Sequence, residues 1–322
     1  MDIIEKKTTE ISEPQWSDYA QSFNKTFEKD FPISYFKQKY QNSCKGFSEH
    51  AFLIKEDRIV GAVTGIPYEY EFFGKKVLFG LVIDVFIQKD SRSHPLLLKK
   101  IYTRVEKRLK EEGVSFVYAV PNPNSYQYLV KVCKWKDVGS LNFYALPIKI
   151  GNIKQTLLKR WVNSVSYFFS KFWISFSGLL INFNNVKVDP QPIKILKTKT
   201  VFKQRLGDQY KKINLENSQQ DFTYRVFKED EIVTTYIIDI SNFSDKLLWQ
   251  ANNHIFQKED TDIILYIGSP NVKTMSIFSV PKAFLPEREL VLAGKIINPE
   301  HVDKRIYDLP NWEFNLFNFD GR

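Results

Sequence analysis

Val77 to Gly113 constrains the fold more than any other stretch of the chain. An apolar, β-rich run from Val77 to Ile87 ends in a short polar turn. The turn opens directly into a helical pattern from about Pro95 to Glu112. Pro at the start and Gly113 just past the end bracket that helix as capping preferences predict. A strand feeding a helix N-terminus through a tight turn is a natural seat for an anionic ligand, because free N–H groups and the helix dipole both point at it.

The flanking pattern extends this unit. Thr8 to Ser12 reads as a short strand. Glu13 to Thr26 and Pro32 to Cys44 read as helices with aromatic residues at helical spacing (Trp16, Tyr19 and Phe23; Tyr35, Phe36 and Tyr40). His50 to Ile54, a turn at Lys55 to Arg58, and Ile59 to Phe73 form a hairpin signal, and Phe73-Gly74-Lys75 turns into the key strand. After the long helix come a buried strand (Val114 to Val120), a helix from Ser125 to about Cys133, and a last strand, Leu141 to Ile148.

This order, and the run Asp84 to Leu97, resemble the cofactor segment of the GNAT superfamily of acyl-CoA N-acyltransferases. In that family the turn carries an Arg or Gln, a Gly three residues on, and a Gly or Ala two further, and its amides hold the acyl-CoA pyrophosphate. Arg92 matches. Pro95 and Leu97 stand at the two small positions, and Pro95 has no N–H to offer. The resemblance implies acetyl-CoA or another acyl-CoA as cofactor, held by the strand around Val85 and Ile87, by Arg92, Ser93 and His94, and by Asn124. It implies Asp84 as a general base, since a partly buried carboxylate with a raised pKa suits deprotonation of an amine. The family's acid, a Tyr in Tyr-x-x-x-Gly-Phe, is absent. Aligned on Trp135, its Tyr and Gly positions are Val130 and Lys134, which leaves Tyr126 or Tyr128 as substitutes. The acceptor expected is a small-molecule primary amine, an amino sugar by analogy with two-domain members of similar length. The four departures from the motif support an alternative, a non-catalytic GNAT-like binding module.

The second half looks like a partial repeat. Phe222 to Val233 parallels Ala51 to Val60, both containing Lys-Glu-Asp-x-Ile-Val, and Thr261 to Asn271 parallels Ser115 to Asn124. Ser241 to Ser244 occupies the place of the Arg-containing turn. Trp312 to Asp320 alternates like an edge strand. The expected fold class is α+β: GNAT-like mixed sheets flanked by helices, in two copies joined by a helical linker. The expected segments are 1–150, an acyl-CoA-binding domain; 151–193, an amphipathic linker; and 194–322, a degenerate copy. Tandem domains also resemble the Fem-type aminoacyl transferases, a reading that predicts RNA binding with a steep salt dependence.

Charge and composition narrow the partners. The net charge is +9, but Gly151 to Leu215 holds twelve Lys or Arg against two Asp, so the surplus lies in one segment. That suggests a local anionic partner more than a nucleic-acid coat, and no specific nucleic-acid binding is expected. Within it, apolar residues from Leu157 to Phe183 recur in an uninterrupted 3-and-4 spacing, with Ser and Asn opposite. Three destinations are open for that helix: packing between the domains, a peripheral seat on an anionic membrane, or a protein contact. Two cysteines, Cys44 and Cys133, argue against a disulfide scaffold. His50, His94, His254 and His301 show no metal-ligand spacing. Without an apolar N-terminal core or a run of about 18 apolar residues, the expected location is cytoplasmic.

Overall fold

In the computed structural model, residues 1–41, 43–92, 94, 96–153, 159–183, 191–207, 209–215, 221–269, 274–281, 285 and 290–319 are described. In chain order the elements are β1 (Asp2–Lys7), α1 (Glu13–Phe27), α2 (Ile33–Gln41), β2 (Glu49–Lys55), β3 (Arg58–Phe72), β4 (Lys75–Ile87), α3 (Leu97–Glu111), β5 (Val114–Ala119), α4 (Pro123–Lys131), β6 (Lys136–Ser140), β7 (Asn142–Pro147), α5 (Ile150–Ile153) and α6 (Lys159–Phe183). Then follow β8 (Ile193–Ile195), α7 (Lys199–Arg205), β9 (Lys211–Asn214), β10 (Asp221–Glu229), β11 (Ile232–Ile240), α8 (Asp245–Lys258), β12 (Ile263–Gly268), β13 (Phe278–Ser279), β14 (Val291–Ile296) and β15 (Trp312–Glu313).

The first hairpin turns on Glu56 and Asp57, both left-handed (φ 51° and 58°), the geometry that matches strand twist in a two-residue loop. Two expected strands are not as drawn. The first strand is Asp2–Lys7, and Thr8–Glu10 is a 3-10 turn. There the Glu10 carboxylate accepts the Lys7 N–H at 2.7 Å, and Thr8 is tied to the Ser48 carbonyl. Near the C-terminus the strand is the two residues Trp312–Glu313. The Asn315 side chain then caps a 3-10 turn over Leu316–Asn318, which breaks the alternating run.

Two compact units result, and neither is contiguous. One comprises Met1–Ser140, Pro192–Leu206 and Leu290–Asn311; the other comprises Leu141–Gln191, Gly207–Glu289 and Trp312–Arg322. They do not coincide with the segments 1–150, 151–193 and 194–322. The reason lies in two strands. β7 follows β6 in the chain but pairs with β12 in the second unit, while β14 comes from the far end of the chain and pairs between β5 and β6 in the first.

The first unit's sheet runs β1-β2-β3-β4-β5-β14-β6, with β8 added to the far end of β3. Only β4 and β5 are parallel there; the other pairings along this path are antiparallel. Alternation sorts its faces. Ala51 and Leu53 meet α3 through Ile101, Val105 and Leu109, which are all fully buried. α3 lies close because Gly65 has no side chain: a Cβ there would stand 2.5 Å from Leu109 Cδ1. His50 and Phe52 point the other way, into the aromatic layer of α1 and α2, where the Tyr19 ring lies 5.6 Å from Phe52 and 5.2 Å from Phe36.

The second unit's sheet runs β13-β7-β12-β11-β10-β9, and again one pair, β11 and β12, is parallel. α8 covers it with Leu247, Leu248, Ala251 and Ile255, and its first turn is capped by the Ser244 hydroxyl. α6 belongs to this unit and is not a linker. Its buried face mixes small residues with Ile174 and Ile181. Ser166 and Ser170 donate to the carbonyls of Ile148 and Pro147 at 2.8 and 2.6 Å, and Gly178 lies flush against Trp249. Of the expected apolar run, Leu157 and Leu158 lie outside the described residues.

Candidate functional site

The site begins as a fault in β4. The β3–β4 register shifts between Ala62 and Thr64, opposite Asp84, whose backbone is left-handed at φ 52°. A residue other than Gly in that conformation inside a strand marks a bulge, which bends the strand and re-aims its side chain. β4 and β5 pair as far as Leu81 and Tyr118. From Val82 to Ile87 β4 keeps β3 on one side, and among the described residues no strand pairs on the other. β5 meanwhile continues to Ala119 beside β14. The parallel pairing therefore ends three residues before the bulge, and β4 runs on to Ile87 beyond the end of β5.

Asp84 turns toward α2. Its carboxylate is 3.1 Å from the Lys39 ammonium and accepts the Tyr40 hydroxyl. Both charged side chains are mostly buried, at 12% exposure for Lys39 and 10% for Asp84. The Tyr40 and Tyr19 hydroxyls are 2.7 Å apart, and burial, followed by the nearby Asp84 charge, raises both phenols well above their ordinary range. Behind them His50 bridges Thr8 (2.8 Å) and Thr64 (3.0 Å), and burial lowers its pKa to about 3. Lys39, Tyr40 and Tyr19 were legible only as aromatic or charged positions on helices; the nearest signal is the Tyr35, Phe36, Tyr40 spacing. Sequence reasoning missed their convergence on Asp84.

The turn after β4 is built from its own groups. Gln88 N–H donates to Val60, Lys89–Ser91 forms one 3-10 turn, and Arg92 Nε donates to the Ile87 carbonyl at 2.9 Å. α3 begins at Leu97, later than the expected Pro95. His94 caps it twice: its Nδ1 accepts the Leu96 N–H, and its carbonyl accepts the Leu97 N–H, each at 3.1 Å. Ser93 and Pro95 lie outside the described residues. Leu97 packs partly buried against the core, as does Val85, and Ile87 is buried in it.

The α4 candidates divide. Burial raises the Tyr128 phenol, and the Lys99 backbone N–H, in the first turn of α3, hydrogen-bonds its oxygen and partly offsets the rise. Tyr128 thus comes to the α3 N-terminus. Tyr126 instead donates to Asp137 at 2.7 Å, near the surface, and that bond raises its pKa. Asn124 is exposed and does not cap α4. Asn122 does, accepting the Ser125 N–H at 2.9 Å, because Pro123 fixes the first helical residue one position after it. The structure therefore brings Asp84, Ile87, Arg92 and His94 to one strand end and its turn, and Tyr128 to the helix that follows.

Residues 7–130 match a family profile described as an acetyltransferase (GNAT) domain. No curated protein is matched by the sequence. Among solved structures, the fold is similar to a GCN5-related N-acetyltransferase from Kribbella flavida, at 10% identity and a TM-score of 0.57, covering 92% of this chain and 72% of that one. A GCN5-related N-acetyltransferase from Anabaena variabilis aligns over 92% and 73% at 12% identity, with a TM-score of 0.55. A probable N-acyltransferase from Enterococcus faecalis aligns over 92% and 72% at 10% identity, with a TM-score of 0.53. Residues 7–130 thus match the GNAT acetyltransferase domain, in a chain whose fold is similar to that of GCN5-related N-acetyltransferases.

Proposed function

We propose that this protein is an acyl-CoA-dependent N-acyltransferase acting on a small primary amine, with its site at the β4 bulge. The observation that carries this reading is the parting of β4 from β5 beyond Leu81 and Tyr118, beside Asp84. The edge of β4 from Val82 to Ile87 suits an extended thioester arm, whose amides can pair with a strand edge. The turn contributes less. Its N–H groups at Leu96, Leu97, Lys99 and Lys100 already have acceptors within the protein, so Arg92 is the principal group left for a diphosphate.

When bound, an acyl-CoA supplies the activated acyl group. This chain's part is to hold the amine beside it and to move protons. Asp84, oriented by Lys39 and Tyr40, takes the proton the attacking nitrogen gives up, through a water molecule. Tyr128 is better situated than Tyr126 to return one to the leaving sulfur, since the Tyr126 hydroxyl is engaged by Asp137. An amino sugar is one acceptor class to screen.

A second reading, a non-catalytic GNAT-like module, is favoured by those same engaged amides. Calorimetric titration with acetyl-CoA separates the two. The transferase reading expects micromolar binding that Arg92→Ala weakens about tenfold or more, the loss of a charge-assisted contact. Absence of heat up to millimolar cofactor overturns it and leaves the module.

A further inference from the structure

α6 turns most of its large apolar residues outward. In an ordinary surface helix the large apolar residues face the core and the small polar ones face water. Here Ser166, Ser170, Ser177 and Gly178 are buried against the rest of the second unit together with only two large apolar residues, Ile174 and Ile181. Trp161, Val165, Phe168, Phe172, Phe176 and Leu179 face outward, with Trp161 and Phe168 67% exposed, Phe172 64% and Leu179 61%. The steps between these six are four, three, four, four and three, so they form one stripe, about 27 Å long at ~1.5 Å per residue. Phe172 and Phe176 stack within it at 5.8 Å. Isolated apolar side chains on a surface need no explanation, but a contiguous stripe of this length marks a contact.

We infer that this stripe seats the protein on an anionic lipid surface, with α6 lying in the plane of the headgroups. Charge selects this occupant. From Ile150 to Val188 the sequence has no Asp or Glu, against five Lys or Arg. Arg160 and Lys171 are exposed along the helix, and Lys159 is paired with an acid, Glu231. A second copy of the same helix would bring like charges together, whereas phosphate headgroups complement them. Composition agrees, because aromatic rings favour the boundary between headgroups and acyl chains. Among the described residues no helix is long and apolar enough to cross a membrane, so α6 rests on the surface.

The test is flotation of the full chain with phosphatidylcholine vesicles, with and without one-third phosphatidylserine, at low and high salt. Wild type is expected to float with the anionic vesicles, weakly with the neutral ones, and less at high salt. Phe168→Ser with Phe172→Ser should lower partitioning about tenfold or more while leaving the urea midpoint within error, since both side chains are exposed when folded. Arg160→Glu with Lys171→Glu should abolish the preference for phosphatidylserine. Failure of wild type to float, or floating unchanged by the Phe pair, overturns the inference. So does sedimentation of wild type as a dimer that the Phe pair dissociates, which would make a second copy the occupant. None of these readouts depends on acyl-CoA.

Discussion

His50 is a buried imidazole whose ring nitrogens are both used by threonine hydroxyls. An unfolded chain takes up this proton near pH 6.5, whereas burial delays it to about 3 in the folded protein. Between those values the unfolded state binds more protons, so folding stability is fully present above 6.5 and falls as the pH drops toward 3. At pH 3.5 the loss from this residue is about 4 kcal/mol. Urea unfolding of wild type and His50→Asn between pH 7 and 4 checks it: the wild-type curve should fall more steeply with acid, and parallel curves would refute it. Asp84 and Arg92 stood out in the sequence because strand and turn are local patterns. Lys39 and Tyr40 did not, because their bonds to Asp84 span more than forty residues, and no local periodicity records a partner that distant.

Most elements of the first unit were legible, because alternation and helical spacing are set by the chain's own geometry. α3 shows what was not. Its start was drawn at Pro95, but its packing depends on a glycine thirty residues earlier. Gly65→Ala should cost about 1–2 kcal/mol, since Leu109 and Val105 must shift within a closed core. A urea midpoint unchanged from wild type would mean that α3 can lift off without penalty. α6 shows a different limit. Its 3-and-4 pattern marked the stripe from Trp161 to Leu179, yet periodicity says nothing about which face turns inward. Serine hydroxyls bonded to the end of β7 and the neighbouring Ile148 decided that, and those carbonyls are far from obvious in the sequence.

At the scale of the molecule, many strands of both sheets were visible while the exchange of β7 and β14 between the two halves of the chain was not. Pairing partners depend on where the chain returns, and β14 (Val291–Ile296) returns to β5 (Val114–Ala119) only after the whole of β7 to β13 has intervened. Leu292 and Ala293 are fully buried between β5 and β6. A fragment ending at residue 150 therefore lacks an interior strand of its own sheet, and it should be insoluble or unfolded by circular dichroism and proteolysis. A stable, protease-resistant 1–150 fragment would show that β14 is dispensable.

The same exchange sets a schedule for the protein's birth. At roughly 5–20 residues per second on the ribosome, about ten to thirty seconds separate the emergence of β5 from that of β14. Through that interval β5 waits with a hydrogen-bonding edge that only the end of the chain can cover, an invitation to mispairing with neighbouring nascent chains. Synthesis of this protein should accordingly lean on chaperones that shield strand edges, and its yield should rise when translation downstream of β5 is fast.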